Sequence, residues 1–84
     1  ENPNFSYAYF NRANLKFQNT NYIGAIEDLS KALTIAPDFS EAYLNRALIL
    51  LILDNQEQAC RDLSKAGELG ISNVYLLIGR YCNN

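Results

Sequence analysis

The stretch Asp28-Leu29-Ser30-Lys31-Ala32 is repeated 34 residues later as Asp62-Leu63-Ser64-Lys65-Ala66. A second stretch, Asn11-Arg12-Ala13, returns at the same offset as Asn45-Arg46-Ala47. At this offset the first 34 residues share 15 identities with the next 34. An internal period of this length is typical of repeat proteins, in which each unit packs on its neighbour. The sequence therefore predicts two repeats and the beginning of a third.

Each repeat has the pattern of two helices. Small and apolar residues recur at helical spacing at Ala25, Leu29 and Leu33. Breaks fall at Asn19-Thr20-Asn21 and at Pro37, which a helix interior does not tolerate. These signals predict helices near residues 5–18, 22–35, 39–53, 56–69 and 73–82.

Capping residues support these boundaries. Asp38 with Glu41 is predicted to cap the third helix, and Asn55 with Gln58 the fourth. Gly70 is predicted to close the fourth helix, and Ser72 to cap the fifth.

The predicted fold class is all-α, with antiparallel helix-turn-helix repeats stacked as a right-handed α-solenoid of five helices. We expect a single domain over residues 1–84. Its repeats lie at about 3–36 and 37–70, and a capping helix follows at about 72–83. The chain has no Met and begins Glu1-Asn2-Pro3, so we expect a fragment of a longer protein.

The repeat resembles the tetratricopeptide repeat family. The resemblance rests on the 34-residue period and on paired positions in the two units: Tyr9 and Tyr43, Ala13 and Ala47, Ala25 and Ala59, Ala32 and Ala66. Tyr22 and Pro37 fit the family pattern in the first repeat, whereas Gln56 and Ile71 depart from it in the second. The departures indicate that the array ends here.

Several paired residues are assigned to the scaffold. Ala13 with Ala25, and Ala47 with Ala59, are centred on the turns and should meet across each hairpin. Arg12 and Asp28 are centred on Thr20, and the sequence predicts an ion pair there. Arg46 and Asp62 form the corresponding pair about Asp54. A catalytic arginine–aspartate pair is the alternative, but no nucleophile or base accompanies either copy.

Cys60 and Cys82 are centred on the turn near residue 71, so they should face each other across two antiparallel helices. We expect two buried thiols that act as small apolar residues. A disulfide is the alternative and would imply an oxidising compartment, whereas reduced thiols favour the cytoplasm.

The resemblance implies a concave groove lined by the first helix of each repeat, which holds an extended or helical peptide. The candidate peptide-binding residues on these helices are Asn11, Asn45, Tyr7, Phe10, Asn14, Glu41, Leu44 and Leu48. An Asn can bind a peptide backbone through one donor and one acceptor. Tyr75 and Ile78 should continue the row on the fifth helix. Local capping or solvation is the alternative for the two Asn residues.

Residues 47–53 are apolar on every side of the third helix. Part of this helix should remain uncovered in an isolated monomer, and an exposed apolar patch indicates a contact surface. The alternative function is therefore a structural scaffold unit that forms a homo-oligomer through this helix. Burial under missing flanking repeats is a further explanation.

Composition limits the other functions. The chain has no His, no Gly-rich phosphate loop and no nucleophile–base pair, so we expect no enzyme, cofactor or metal site. A net charge of −2 argues against nucleic acid as a partner. No apolar run is long enough to span a bilayer, so we expect no membrane insertion. The expected partner is a protein or peptide.

Overall fold

The structure, a computed structural model, describes residues 4–82, which form five α-helices and no β-strand. The helices are α1 (Asn4–Gln18), α2 (Tyr22–Ile35), α3 (Ser40–Ile52), α4 (Gln56–Glu68) and α5 (Val74–Tyr81). The all-α fold and all five helices are confirmed, each to within one residue at its ends. The predicted domain limits at residues 1 and 84, the start of the first repeat at residue 3 and the end of the capping helix at residue 83 lie outside the described residues.

The helices form hairpins that pack side by side. α1 pairs with α2, α3 pairs with α4, and α5 packs against α4. Most of the contact between the two hairpins is made by α2 and α3. Within the described residues, none of the helices combines the length and the hydropathy that crossing a bilayer requires.

Three turns use the same backbone device. Thr20, Asp54 and Gly70 each follow a helix in the left-handed region, with φ of 61°, 62° and 113°. At each turn, the amide of that residue and the next amide donate to carbonyls of the preceding helix, as from Asn21 N to Lys16 O at 2.8 Å. This is the Schellman arrangement, which satisfies the last carbonyls of the helix. Gly70 is confirmed as the residue that closes α4.

The capping predictions have mixed outcomes. Asn55 is confirmed as the cap of α4, because its side chain accepts from Gln58 N at 3.3 Å. The Gln58 half of the predicted capping box is wrong, because the Gln58 side chain donates to Asp62 and the Asn55 amide donates to Leu50 O. The prediction for Asp38 is wrong, because Phe39 occupies the N-cap of α3 and makes no side-chain cap. Asp38 therefore stands one residue before the position from which a carboxylate reaches the first turn.

The prediction for Ser72 is also wrong. α5 begins at Val74, and Asn73 occupies its N-cap in a helical conformation without a side-chain cap. Ser72 contributes only its carbonyl, which accepts from Tyr75 N at 3.2 Å.

The core consists of two clusters: the first is formed by α1, α2 and two residues of α3, and the second by α3, α4 and Val74 at the start of α5. Ala13 and Ala25 share the first cluster, and Ala47 and Ala59 share the second, all at most 1% exposed. The predicted alanine pairs are thus confirmed as buried neighbours. A methyl group at these positions lets two helix backbones approach closely, and Ile26 packs against both clusters and joins them.

A disulfide between Cys60 and Cys82 joins α4 to the residue that ends α5. Our expectation of two reduced thiols is therefore wrong, although the two residues do face each other as predicted. The antiparallel packing of α4 and α5 brings their Cα atoms to 5.8 Å, a separation that a disulfide spans.

Candidate functional site

The two arginine–aspartate pairs are confirmed as ion pairs across the hairpins. Arg12 donates from Nε and Nη2 to Asp28, each at 2.8 Å. Arg46 does the same to Asp62, at 2.7 and 2.8 Å. Both carboxylates are almost fully buried, and buried carboxylates need this compensation. The duplicated geometry ties one helix to the next and is part of the scaffold.

Asp28 lies next to two cations, Arg12 and Lys16, whereas Asp62 pairs with Arg46. The Arg12 guanidinium lowers the pKa of Asp28 to about 2, and Lys16 Nζ adds a second cation at 3.0 Å from Oδ2. The hydrogen bonds that Arg12 donates to Asp28 in turn raise the pKa of Arg12. The pair therefore remains charged at neutral pH and in mild acid, and Asp28 takes up a proton only as the pH approaches about 2.

The surface formed by α1 and α3 holds most of the predicted peptide-binding residues, in two groups. The first group is aromatic. Phe39 lies 5.1 Å from Tyr7 and 4.7 Å from Phe10, measured between ring centroids. Tyr7 is 60% exposed, whereas Phe10 packs against the first core cluster. Phe10 therefore supports the junction between the hairpins as much as it faces a ligand.

The second group is a pair of amides at a depression between α1 and α3. Asn45 Nδ2 donates to Asn14 Oδ1 at 3.0 Å, which links the two helices directly. The depression has a volume of about 340 Å³, and its lining residues are Asn14, Phe17, Gln18, Asn45, Leu48 and Ile49. All six side chains are uncharged, so the depression suits a neutral, partly apolar ligand.

The other predicted residues lie elsewhere on α1 and α3. Asn11 is exposed and is not among the residues that line the depression. Glu41 is exposed and accepts from Ser40 Oγ at 3.1 Å. Leu44 is partly buried against the second core cluster. On α5, Tyr75 is 56% exposed, and Ile78 packs against the second cluster.

Phe17, Gln18 and Ile49 are lining residues that the sequence analysis did not single out. Phe17 and Gln18 follow Asn14 by three and four residues, which places them on the same helical face. That spacing was a usable signal. No comparable signal exists for the pairing of Asn45 with Asn14, because these residues do not occupy equivalent positions in the two repeats.

The apolar stretch 47–53 divides between core and surface. Ala47, Ile49 and Leu50 are buried, whereas Leu48, Ile52 and Leu53 are 39%, 53% and 39% exposed. The prediction that this helix has more apolar surface than its own hairpin covers is therefore confirmed.

Paired helical hairpins that share a lateral surface define a helical-repeat scaffold. Two family models match the chain, both described as tetratricopeptide repeat, over residues 6–39 and 29–61. Together they run from residue 6 to residue 61, and the chain belongs to the tetratricopeptide repeat family. No curated protein matches the chain.

Tetratricopeptide repeats are generally protein–protein interaction modules and typically have no enzymatic activity. Within residues 4–82, no three metal-ligating side chains lie close enough together to hold an ion.

Proposed function

We propose that this chain is a non-enzymatic module that binds an extended or helical peptide segment on the surface formed by α1 and α3. The observation that carries the proposal is the Asn14–Asn45 amide pair beside a neutral depression between the two helices. Family membership supports a protein or peptide as the partner.

The amide pair suits a peptide backbone. Asn45 uses one of its two donor hydrogens on Asn14, and Asn14 uses its carbonyl oxygen as the acceptor. Asn45 Oδ1 and Asn14 Nδ2 are then an acceptor and a donor at one place on the surface. A peptide unit presents the complementary N–H and C=O groups, so the pair can hold a backbone whatever its side chains are.

The surroundings of the pair favour apolar ligand side chains. Phe17 and Leu48 are each 39% exposed at the depression, and they offer apolar surface that a ligand would cover. Because none of the lining residues is charged, a charged ligand residue would find no partner of opposite charge there. Its desolvation would then weaken binding. We therefore expect an uncharged segment with at least one large apolar side chain.

Selection from a library of random peptides displayed on phage tests this proposal. Peptides enriched on the wild-type chain should be rich in apolar residues and poor in charge. Replacing both Asn14 and Asn45 by Ala should weaken the selected peptides about tenfold, the equivalent of about 1.4 kcal/mol. Ser64→Ala, at an exposed position on α4, is the control and should leave binding unchanged.

Enrichment of strongly charged peptides, or equal affinity for the wild type and the double Asn variant, would exclude this site. Asn11→Ala tests whether Asn11, which the sequence predicts to bind peptide, contributes to binding besides Asn14 and Asn45. A loss of affinity in this variant would extend the site along α1, and an unchanged affinity would confine it to the depression.

Self-association is a second candidate function, favoured by the exposure of Ile52 and Leu53 at the end of α3. Neither residue lines the depression beside the amide pair. Replacing both by Asp should therefore abolish a concentration-dependent dimer in sedimentation without affecting peptide binding. A wild-type chain that stays monomeric at all concentrations would rule this function out.

A further inference from the structure

The disulfide between Cys60 and Cys82 lies at the surface of the junction between α4 and α5. Both cysteines are half-buried, and they line a depression of about 460 Å³ together with Gln56, Glu57 and Tyr81. The Glu57 side chain at this depression is 86% exposed, so a small thiol can approach the disulfide from solvent. None of these residues lines the depression beside the amide pair, so the junction is separate from the proposed peptide-binding site.

The disulfide occupies a place that apolar packing fills between α2 and α3. Cys60 is the counterpart, 34 residues later, of Ile26, which packs against both core clusters. A hydrogen bond from Arg46 Nη1 to Ser30 Oγ reinforces that α2–α3 junction, whereas Arg80, the counterpart of Arg46, is exposed. A covalent bond thus takes over at the α4–α5 junction part of the role that noncovalent contacts have between α2 and α3.

α5 has little stability of its own. It has eight residues, fewer than an isolated helix needs in water. Its N-cap residue Asn73 makes no side-chain cap. The amides of Tyr75 and Leu76 donate long hydrogen bonds of 3.2 and 3.3 Å at the start of the helix. The first turn of α5 is therefore weakly held.

Gly79 lowers the helical tendency of α5 further. Glycine in a helix interior is less favourable than alanine because it loses more backbone freedom on folding. Within the described residues, a Cβ added at Gly79 would have nothing within 4 Å apart from its chain neighbours and its own helix backbone. Packing therefore does not require a glycine here, and α5 depends on its attachment to α4 to stay helical.

α5 covers part of the second core cluster. Val74 is fully buried in this cluster, and Leu77 and Ile78 pack against it. The same cluster contains Leu63 of α4, which is 0% exposed. The first core cluster takes no residue from α5. Departure of α5 would therefore expose apolar surface on the second hairpin and leave the packing of the first hairpin intact.

We propose that the Cys60–Cys82 disulfide is a redox-sensitive switch that controls the docking of α5. A dithiol reductant attacks one sulfur as a thiolate, the S–S bond breaks, and the other sulfur leaves as a thiolate. The second thiol of the reductant then displaces the first cysteine. Cys60 and Cys82 thereby gain two electrons and two protons, and the dithiol is oxidised to a disulfide.

The reduced chain keeps both hairpins but releases α5. The released segment loses its helical structure, because neither its length nor its composition supports a free helix. Cys82 stays tethered to α4 by the segment that follows Glu68. A short tether keeps the two thiols at an effective concentration on the order of millimolar, so an oxidant restores the docked state.

Limited proteolysis with chymotrypsin tests this switch. Cleavage after Tyr75 requires α5 to unfold locally, so it should be at least about tenfold faster in dithiothreitol than in the oxidised chain. Cleavage after Tyr43, in α3, is the internal reference and should be unchanged. Mass spectrometry identifies the fragments, which are reduced only after the protease has been stopped.

Two variants make the test specific. The chain has only these two cysteines, so Cys60→Ser with Cys82→Ser should be cleaved rapidly after Tyr75 with or without dithiothreitol. Gly79→Ala should slow cleavage of the reduced chain about fivefold, because alanine favours the helix. A change of redox state should not alter the cleavage rate of the double Ser variant.

A fluorescent dye reports the surface that α5 uncovers. The emission of 8-anilinonaphthalene-1-sulfonate should rise when the wild-type chain is reduced, since this dye binds exposed apolar surface. Equal cleavage after Tyr75 in the oxidised and reduced chains would overturn the proposal. So would a reduced chain in which cleavage after Tyr43 accelerates as much, because reduction would then unfold the whole chain. Neither measurement uses a peptide ligand, so the outcome does not depend on the proposed function.

Discussion

Arg46 donates two hydrogen bonds to Asp62 across the α3–α4 hairpin, and through Nη1 a third to Ser30 of α2. This one side chain therefore connects three helices and both repeats. Its counterpart Arg12 makes the same pair with Asp28, but its side chain is 55% exposed, against 18% for Arg46. The same arginine–aspartate pair therefore holds one hairpin together in the first repeat, whereas in the second repeat its arginine also joins the two hairpins.

Loss of Arg46 should cost more stability than loss of Arg12. Arg46→Ala leaves Asp62 in the core with only the long hydrogen bond from Gln58 at 3.3 Å, so we expect a loss of about 2–3 kcal/mol in the free energy of unfolding. Arg12→Ala leaves Asp28 paired with Lys16 and should cost less. Urea denaturation followed by circular dichroism measures both values. Equal losses would contradict the role of Arg46 as a junction.

The Asp28 carboxylate should make stability depend on pH in acid. Its pKa falls from an ordinary 3.8 to about 2 in the folded chain. The unfolded chain therefore binds a proton first, and the stabilisation present at neutral pH is lost as the pH falls from about 4 to about 2.

The variant Asp28→Asn should remove that dependence. The difference in urea midpoint between wild type and Asp28→Asn should be largest near neutral pH and shrink below about pH 4. Glu27→Gln changes an exposed carboxylate on the same helix and is the control. A difference that stays constant down to pH 2 would show that the ion pair does not lower the pKa of Asp28.

The disulfide should stabilise α5 selectively. Closing a loop over a sequence separation of 22 residues contributes about 3 kcal/mol by the chain-entropy relation. Reduction, or replacement of Cys60 and Cys82 by Ser, should therefore lower the global stability and speed hydrogen exchange most in α5. The first hairpin, which α5 does not contact extensively, serves as the internal reference. Uniformly faster exchange in all helices would contradict a local role.

A glycine in place of Thr20 should make the folded chain more stable. Thr20 has a φ of 61°, which is unfavourable for a β-branched residue, and Gly accepts this conformation without a steric penalty. Thr20→Gly should stabilise the chain by about 0.5–1 kcal/mol, after allowance for the greater freedom of Gly in the unfolded state. Asp54→Gly should gain less, because Asp tolerates the left-handed region better.

The same argument predicts the opposite effect at Gly70. Its φ of 113° disfavours any side chain, so Gly70→Ala should destabilise the chain by about 1–2 kcal/mol. Thermal melts of the three variants give the order of effects. A destabilising Thr20→Gly would show that the hydroxyl contact from Thr20 to Asn19 O outweighs the backbone strain.

The sequence alone predicted the features that depend on local periodicity. The 34-residue repeat and the breaks at Asn21 and Pro37 specify helix positions, because turn chemistry and helical spacing act over a few residues. The Arg12–Asp28 and Arg46–Asp62 pairs also followed from the sequence. Two residues at equal distances from the turn of an antiparallel hairpin must lie side by side, whatever the rest of the fold does.

Packing between hairpins decided the features that sequence reasoning did not reach. Asn45 pairs with Asn14 and not with its repeat equivalent Asn11, because the lateral offset of α3 on α1 sets which amides meet. The state of Cys60 and Cys82 depended on how closely α5 approaches α4. The exposure of Leu15 against the burial of Ile49 depended on which neighbour each helix has. Local pattern determines the helices and their hairpins, whereas only the three-dimensional stacking determines which of their equivalent surfaces remains open.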